Sequence, residues 1–209
     1  MATTISNEIN NRILEAEDGA IFLTSDFSDL ASNTTVRKCL GRQTEKGNIK
    51  RVMDGVYEKP RYSSFLKETL PTNPEAVAYA IARGYHWSIS PAGDVALNKL
   101  GLSTQVPSVW VFVSDGPYRE FEIENAKLSF KHRTNRDISN MSTLTVMIIE
   151  ALKTLGKERV DESIIKTLRN KIAHEDKELI LMESADSAEW IHETIRKVCC
   201  EYEKCSHSK

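Results

Sequence analysis

The amino-acid sequence predicts an α+β protein with two domains, and two features of the chain lead to this prediction. Up to residue 62, short helical patterns alternate with short strands, and the last two strands are joined by the tight-turn pair Asp54-Gly55. From residue 72 to 209, strand-like segments precede apolar residues at helical spacing. The segment from Pro60 to Pro74 contains three prolines, counting both ends. We therefore predict a linker there and domains at residues 1–62 and 72–209.

Each element of the first domain has its own signal in the sequence. Apolar residues at helical spacing predict a first helix: Ile5, Ile9, Ile13 and Ala16. The apolar stretch AIFL then predicts a short strand. We expect Thr24 to cap a short second helix, and Thr34 or Asn33 to cap a third helix that ends at Gly47. The segments NIKRVM and VYEKP predict the two strands of a hairpin.

Positive charge is concentrated on the third predicted helix and the strand after it. The formal net charge of the whole chain is −2. Between residues 36 and 51, by contrast, the single anion Glu45 stands among six cations: Arg37, Lys38, Arg42, Lys46, Lys50 and Arg51. The apolar residues of this helix fall on one side: Val36, Cys39 and Leu40. The other side is therefore predicted to be a basic face.

The predicted elements follow the order of a winged helix-turn-helix: helix, strand, short helix, turn, basic helix and hairpin. In that fold one helix enters the major groove of DNA and the hairpin contacts the backbone. We therefore predict that these residues bind double-stranded DNA: Thr34, Thr35, Arg37, Lys38, Arg42, Lys50 and Arg51. The alternative interpretation is a cationic helix face that is only solvated, as many are.

The second domain is predicted from caps, turns and periodicity. PEAVAYAIARG predicts a helix, WSIS a strand, and PAGDVALNKLG a helix opened by Pro91 and closed by Gly101. The strands that follow turn at Asp115-Gly116 and Glu124-Asn125, and helical patterns run from about Ser142 to the end. LGLSTQVP is interpreted as a structural connector.

A second basic stretch, KLSFKHRTNR, holds Lys127, Lys131, Arg133 and Arg136 without an acid between them. One interpretation is a second strip that contacts phosphates, through Lys131 and Arg133 above all. The other is an exposed strand and loop, because edge strands carry cations that prevent aggregation.

Signatures of catalysis and metal binding are weak. The sequence has no phosphate-binding loop, dinucleotide fingerprint or G-x-S-x-G elbow, and His192 opens H-E-x-x-R, which lacks the second zinc ligand. We interpret His174 as part of a solvated turn and His86 as a packed ring at a strand start. A helix end with a loose tail is favoured over a metal site for Cys199, Cys200, Cys205 and His207. We expect no enzymatic activity, no cofactor and no metal.

Composition favours a cytoplasmic protein. Hydrophobic residues make up 40% and charged residues 28% of the chain, as in soluble globular proteins. No apolar run approaches the ~20 residues that span a bilayer, and the first residues lack the apolar core of a signal peptide. The cysteines are therefore expected to be reduced thiols.

Five segments together resemble a known family: IFLTSDFSDLASNTTVRKCLGR, KGNIKRVMDGVYEKP, NPEAVAYAIA, SPAGDVALNKLGLSTQVP and VFVSDGP. They are similar to the AbiE-type (AbiEi) antitoxins of type IV toxin–antitoxin systems, from about Ile21 to Val198. The resemblance implies an N-terminal winged helix-turn-helix that binds operator DNA and a mixed α/β C-terminal antitoxin domain ending in helices. It also implies repression of the protein's own operon and action against a nucleotidyltransferase-type toxin. One departure is Arg42-Gln43, where relatives tend to have Arg-Leu, and Gln43 is expected at the margin of the apolar side.

Two other functions stay open at this stage. The C-terminal region could bind a small molecule and control a winged-helix repressor unrelated to any toxin. It could instead hold a hydrolase or transferase site around His132 and His174. For the DNA-binding function we expect two copies on an inverted repeat, because a lone winged helix covers little DNA.

Overall fold

The structure, a computed structural model, describes residues 2–124 and 126–200, with the side chains of residues 2, 3, 135 and 136 left out. Its contacts divide the chain into two compact units. The first unit is Met1–Trp87 with Phe121–Leu128, and the second is Ser88–Glu120 with Ser129–Lys209. Both contain helices and strands, so the predicted α+β class is confirmed.

The first unit begins with a helix, a strand and a 3₁₀ turn, followed by a second helix and a hairpin. In chain order these are α1 (Ala2–Glu15), β1 (Ile21–Leu23), the 3₁₀ turn (Thr24–Phe27), α2 (Asn33–Glu45), β2 (Lys50–Met53) and β3 (Val56–Glu58). A second, smaller hairpin and a helix complete the unit: β4 (Tyr62–Ser63), β5 (Glu68–Thr69) and α3 (Pro74–Tyr85). The first three strands form an antiparallel sheet in the order β1-β3-β2.

The core of the first unit lies between its helices and the sheet. Ile9 and Ile13 of α1 are fully buried, as are Val36 and Leu40 of α2, and Tyr57 of β3 packs with them. These are the apolar residues that helical spacing predicts, because residues three or four apart in a helix share one side. The predicted first helix and the apolar side of the third helix are confirmed.

Two predicted helix caps are wrong. Thr24 does not cap a helix; its hydroxyl donates to the carbonyl of Gly55 at 3.2 Å. The residue before α2 is Ser32, so neither Asn33 nor Thr34 precedes the helix. The predicted glycines are confirmed, because Gly47 (φ 75°) follows α2 and Gly55 (φ 74°) completes the β2–β3 turn, both in the left-handed region.

The segment predicted as a linker belongs to the first unit. It forms the β4–β5 hairpin, and Thr72 beyond it is buried with its hydroxyl 2.5 Å from Glu58 Oε2 and 3.0 Å from Glu124 Oε1. Helix α3 packs closely on β1, where a Cβ on Gly84 would lie 2.5 Å from Leu23 Cδ1. The two compact units therefore differ from the predicted domains 1–62 and 72–209, since contacts between distant residues decide where a unit ends.

The second unit contains the larger sheet and most of the helices. Its strands are β6 (Ile89–Pro91), β7 (Val109–Ser114), β8 (Arg119–Ile123) and β9 (Ala126–His132), in the order β6-β7-β9-β8. Residues 121–128, at the β8–β9 turn, group with the first unit. Its helices are α4 (Gly93–Lys99), α5 (Asn135–Ile138), α6 (Thr143–Leu155), α7 (Glu162–Lys171), α8 (Lys177–Glu183) and α9 (Glu189–Cys199). The predicted strands are confirmed, as are the C-terminal helices up to Cys199, whereas the part of that prediction beyond residue 200 lies outside the described residues.

Helices α4, α6, α7, α8 and α9 share one core, in which Leu100, Ile148, Leu152, Leu168 and Ile195 are among the fully buried side chains. No helix in the described residues is long and apolar enough to cross a membrane.

Two sequence interpretations beside α3 and α4 are wrong. Pro91 does not open a helix; it ends β6 opposite Phe112, and α4 begins at Gly93. His86 is an exposed residue in the left-handed region (φ 57°) that ends α3, so it is not a packed ring. In both cases the sequence correctly indicated a boundary between elements. Pro91 belongs to β6 because it pairs with Phe112, and His86 is the residue at which α3 ends.

Candidate nucleic-acid interface

The buried side of α2 determines which of its residues face solvent. Four side chains of the helix are buried: Val36, Cys39, Leu40 and Gln43. Gln43 is not marginal, because its Oε1 accepts a 2.7 Å hydrogen bond from Asn48 Nδ2 and its carbonyl oxygen accepts from the Asn48 amide at 3.0 Å. Gln43 therefore holds the turn between α2 and β2.

The residues of α2 predicted to bind DNA lie on the opposite side. Thr34, Arg37, Lys38 and Arg42 are exposed, and Thr35 is half-buried. Within the described part of the chain, the side chains of Lys38 and Arg42 have no hydrogen-bond or ion-pair partner. We call Arg37, Lys38 and Arg42 the α2 cation face. Because two of its three charges are not neutralised by a neighbour, this face attracts anions.

Arg37 differs from the other two cations because neighbours hold its guanidinium. Its Nε donates to Asn33 Oδ1 at 3.0 Å, one helical turn earlier. Its Nη2 lies 3.7 Å from Asp54 Oδ2, and Asp54 Oδ1 accepts from Arg51 Nη2 at 2.6 Å. The carboxylate of Asp54 in the β2–β3 turn therefore lies between a cation of α2 and a cation of β2.

A groove of about 340 Å³ runs between α2 and the β2–β3 hairpin, lined by Arg37, Gly41, Thr44, Arg51, Asp54 and Tyr57. Gly41 is inside the helix, where glycine is unfavourable, and no atom lies within 4 Å of the position its Cβ would take. Packing does not explain this glycine. A glycine on an exposed helix face allows another molecule to approach the backbone closely.

Lys50 occupies a different environment from the α2 cation face. Its Nζ lies 3.2 Å from Glu58 Oε2 and 2.7 Å from Glu124 Oε1, and the Glu58 side chain is only 1% exposed. Burial lowers the pKa of Lys50, but hydrogen bonds to Glu124 and Glu58 outweigh burial and raise the pKa above its ordinary value. The hydrogen bond from Lys50 in turn lowers the pKa of Glu124. Lys50 therefore joins the hairpin to the β8–β9 turn within the first unit.

The predicted site residues of the second basic stretch, Lys131 and Arg133, lie in the second unit. Lys131 is exposed, whereas Arg133 donates from Nε and Nη2 to the two carboxylate oxygens of Glu150 at 3.2 and 3.0 Å. Glu150 is 7% exposed and also accepts from Lys153 Nζ at 3.0 Å. Burial raises the pKa of Glu150, but the bonds from Arg133 and Lys153 outweigh it, so the pKa lies below its ordinary value.

The histidines and cysteines form no metal centre within the described residues, where no group of three or more His, Cys, Asp or Glu side chains could hold an ion. His132 Nδ1 lies 2.9 Å from the Gly116 carbonyl oxygen, and His192 Nδ1 lies 3.2 Å from Ser184 Oγ. Two members of the cysteine-rich cluster considered above, Cys205 and His207, lie outside the described residues, as does the side chain of Arg136.

Sequence reasoning missed three residues of this interface: Asn33 and Asp54, which hold Arg37, and Gly41. Asn33 and Asp54 were interpreted only as a cap and a turn residue, since nothing in the sequence indicates that both lie beside Arg37. Gly41 did carry a usable signal, because an isolated glycine inside a helical pattern often has a packing or functional reason.

One family model matches the chain, over residues 8–180, and its description is a family of unknown function (DUF6088). No curated protein matches the sequence.

Proposed function

The chain belongs to the DUF6088 family, whose function is unknown. From the α2 cation face and the resemblance to the AbiE-type antitoxins, we propose that the protein is a DNA-binding antitoxin that represses its own operon. The N-terminal part of the first unit, up to β3, is proposed to be a winged helix-turn-helix, with α2 as the helix that enters the major groove. The order of its elements and the β1-β3-β2 sheet support this proposal.

The α2 cation face is the observation that carries the DNA-binding function. Its residues lie opposite a buried side, so the helix can present them to a duplex without losing its own packing. Lys38 and Arg42 have no partner within the described residues, and phosphates are the anions that such cations bind in nucleic-acid complexes. Arg51 of β2 is exposed beside this face, but it is not assigned to a phosphate, because Asp54 Oδ1 already accepts from its Nη2 at 2.6 Å. Lys50 is not included, because two carboxylates already bind it.

The antitoxin role rests on the resemblance to the AbiE-type antitoxins. It assigns to the C-terminal domain, predicted at residues 72–209, the activity that counteracts a nucleotidyltransferase-type toxin, and no enzymatic activity to the protein itself. A protein with these two roles would act in the cytoplasm, as two copies on an inverted repeat in the operator.

Binding to duplex DNA tests the first half of the proposal. The variant Arg37→Ala/Lys38→Ala/Arg42→Ala removes three exposed cations and is expected to weaken binding at least about a hundredfold, with a salt slope smaller by about two units. Lys166→Ala removes an exposed cation of α7 in the second unit, outside both basic stretches, and is the control for a general loss of charge. Unchanged affinity of the triple variant in a gel-shift titration at matched salt would refute the DNA-binding role of α2.

Co-expression with the gene adjacent to the protein's own gene tests the second half. The toxin is expressed from an unrelated promoter, so repression by this protein cannot lower its level. We expect both the wild type and the triple variant to restore growth, while only the wild type represses a reporter of its own promoter. If neither protein restores growth, the antitoxin role is wrong.

A second candidate function is a repressor that responds to a small molecule. A cavity of about 760 Å³ in the second unit favours it, with a mixed lining that includes Met141, Ile149, Lys153 and Asp186. Ligand sites commonly have about 300–1,000 Å³. A metabolite that raises the melting temperature of the wild type and changes its affinity for DNA would support this function over the antitoxin role.

A further inference from the structure

We propose, resting on the DNA-binding function above, that Arg37 reads the edge of a guanine base in the major groove. In this proposal Lys38 and Arg42 bind phosphates and contribute affinity without sequence preference. The three cations of the α2 cation face therefore have two different tasks, and the specificity of the protein depends on one of them.

The first argument is the orientation of the Arg37 side chain. Its Nε donates to Asn33 and its Nη2 faces Asp54, so the guanidinium plane is held from two sides before any ligand arrives. A guanidinium has five N–H donors; Nε donates to Asn33, whereas the 3.7 Å from Nη2 to Asp54 is an ion-pair distance and not a hydrogen bond, so the edge formed by Nη1 and Nη2 keeps its donors for a ligand. Guanine presents two acceptors, O6 and N7, on its major-groove edge, and a guanidinium is the group that most often contacts them. A fork that is already oriented loses less conformational freedom on binding.

The second argument is the negative charge beside Arg37. Asp54 lies 3.7 Å from Arg37 Nη2 and 2.6 Å from Arg51 Nη2, so its one negative charge is shared by two guanidinium groups and offsets part of the attraction that Arg37 exerts on a phosphate. A base edge is neutral and has no such cost. Asp54 therefore favours a base over a phosphate as the ligand of Arg37, which is specificity obtained by a repulsive group against the wrong partner.

The remaining cations lack both features. No side chain of the described residues orients or neutralises Lys38 and Arg42, and both are exposed. Cations that no neighbour orients are suited to bind phosphates. A side chain can contact a phosphate from many directions, and phosphates carry no sequence information. The contrast between Arg37 and Arg42 is the sharper one, because both are arginines on the exposed side of the same helix.

The groove beside Arg37 provides the space that base reading needs. Gly41 lies one turn after Arg37, and no atom is within 4 Å of the position of a Cβ there. The groove between α2 and the hairpin has about 340 Å³, and Arg37 and Gly41 both line it. The backbone of α2 can therefore come close to the floor of the major groove at this point, which places Arg37 at a base edge.

The experiment begins with selection of bound sequences from a random pool of duplex DNA by the full-length wild-type protein. Enriched duplexes are then titrated against the wild type, Arg37→Lys and the control Arg42→Lys, with unselected duplexes as the reference. Arg37→Lys keeps the positive charge but loses the planar fork. We expect it to bind enriched duplexes about tenfold or more weakly, with a loss of less than about threefold on unselected duplexes. Arg42→Lys should change both affinities by less than about threefold.

Replacing single guanines of the enriched site by 7-deazaguanine identifies the base. At one position the loss of N7 should weaken binding of the wild type but not of Arg37→Lys, since the two changes remove the same contact. Asp54→Asn should strengthen binding to unselected duplexes and reduce discrimination. Melting temperatures of all variants confirm that they are folded.

The outcomes separate this inference from the function on which it rests. If the wild type binds no duplex, the DNA-binding function itself is wrong. If the wild type binds but Arg37→Lys weakens enriched and unselected duplexes equally, Arg37 contacts a phosphate and the inference is wrong. The inference is equally wrong if every guanine substitution affects the wild type and Arg37→Lys alike.

Discussion

Two groups of cations look alike in the sequence and differ completely in the structure. The α2 cation face is exposed, and two of its three side chains have no partner within the described residues. Lys50 and Arg133, which also belong to basic stretches, are bound by carboxylates that are nearly buried, Glu58 and Glu150. A basic stretch therefore indicates where cations are in the sequence, but it does not indicate which of them are available to bind a ligand.

The difference arises from partners that lie far away in the sequence. Glu124 pairs with Lys50 across 74 positions, and Glu150 pairs with Arg133 across 17. Lys50 also binds Glu58, which like Glu150 is nearly buried, and a buried carboxylate without a cation would be costly, so both cations are needed by the fold. Removing a cation of the first group should therefore affect binding, and removing one of the second group should affect stability.

The largest effect is expected for Lys50→Met, which leaves the buried carboxylate of Glu58 without its cation. We expect the free energy of unfolding to fall by about 2–4 kcal/mol. The control Arg42→Met changes an exposed, unpaired cation and should stay within about 0.5 kcal/mol of the wild type. Urea denaturation followed by circular dichroism measures both. An equal fall in the free energy of unfolding in the two variants would contradict the distinction between paired cations and the α2 cation face.

A smaller effect is expected for Arg133→Leu, because Lys153 still neutralises part of the charge of Glu150. The expected loss is about 2 kcal/mol in the free energy of unfolding. Lys131→Leu, two residues earlier and exposed, is the matched control and should cost no more than about 0.5 kcal/mol. If the control were the more damaging change, Lys131 and not Arg133 would be the structural cation of this stretch.

The pairing of Glu150 also predicts a pH dependence. Because the pKa of Glu150 in the folded protein lies below its ordinary value of 4.5, its ionised form stabilises the fold above that pH. This contribution is lost as the pH falls through the lower, folded-state pKa. Glu150→Gln has no such proton to bind, so the stability difference between wild type and variant should shrink from neutral pH to acid. A difference that stays constant in urea titrations across this range would contradict the pairing.

The smallest effect on stability is expected for Gly41→Ala, and it should be a gain. Alanine is more favourable than glycine inside a helix by about 0.5–1 kcal/mol, and nothing near Gly41 obstructs a Cβ. DNA binding should weaken at the same time, because the methyl group stands on the proposed contact face. Gly47→Ala is the control: its positive φ makes alanine unfavourable, so it should lower the melting temperature. A gain in stability with unchanged affinity for DNA would show that nothing approaches α2 at Gly41.

Gln43 shows how much the sequence alone can predict about a single residue. Its spacing from Val36 and Leu40 placed it near the apolar side of the helix, and it is indeed next to them. The amide group that closes the turn with Asn48 was not predicted, because it requires knowing how the chain turns after α2. Nothing in the sequence around Thr72 predicted its position. It lies in a segment with three prolines, yet it is buried and its hydroxyl lies between the carboxylates of Glu58 and Glu124.

The sequence by itself determined the class of the fold, most helices and strands outside the β4–β5 hairpin, the buried side of α2 and the Asp54-Gly55 turn. These follow from periodicity and turn chemistry, which depend on residues only a few positions apart. The tertiary structure alone decided the extent of the first unit, the pairing of Lys50 and Arg133, and the position of Asp54 between Arg37 and Arg51. Burial and ion pairing depend on distances in space, and the carboxylates that pair with Lys50 and Arg133 come from other strands and helices.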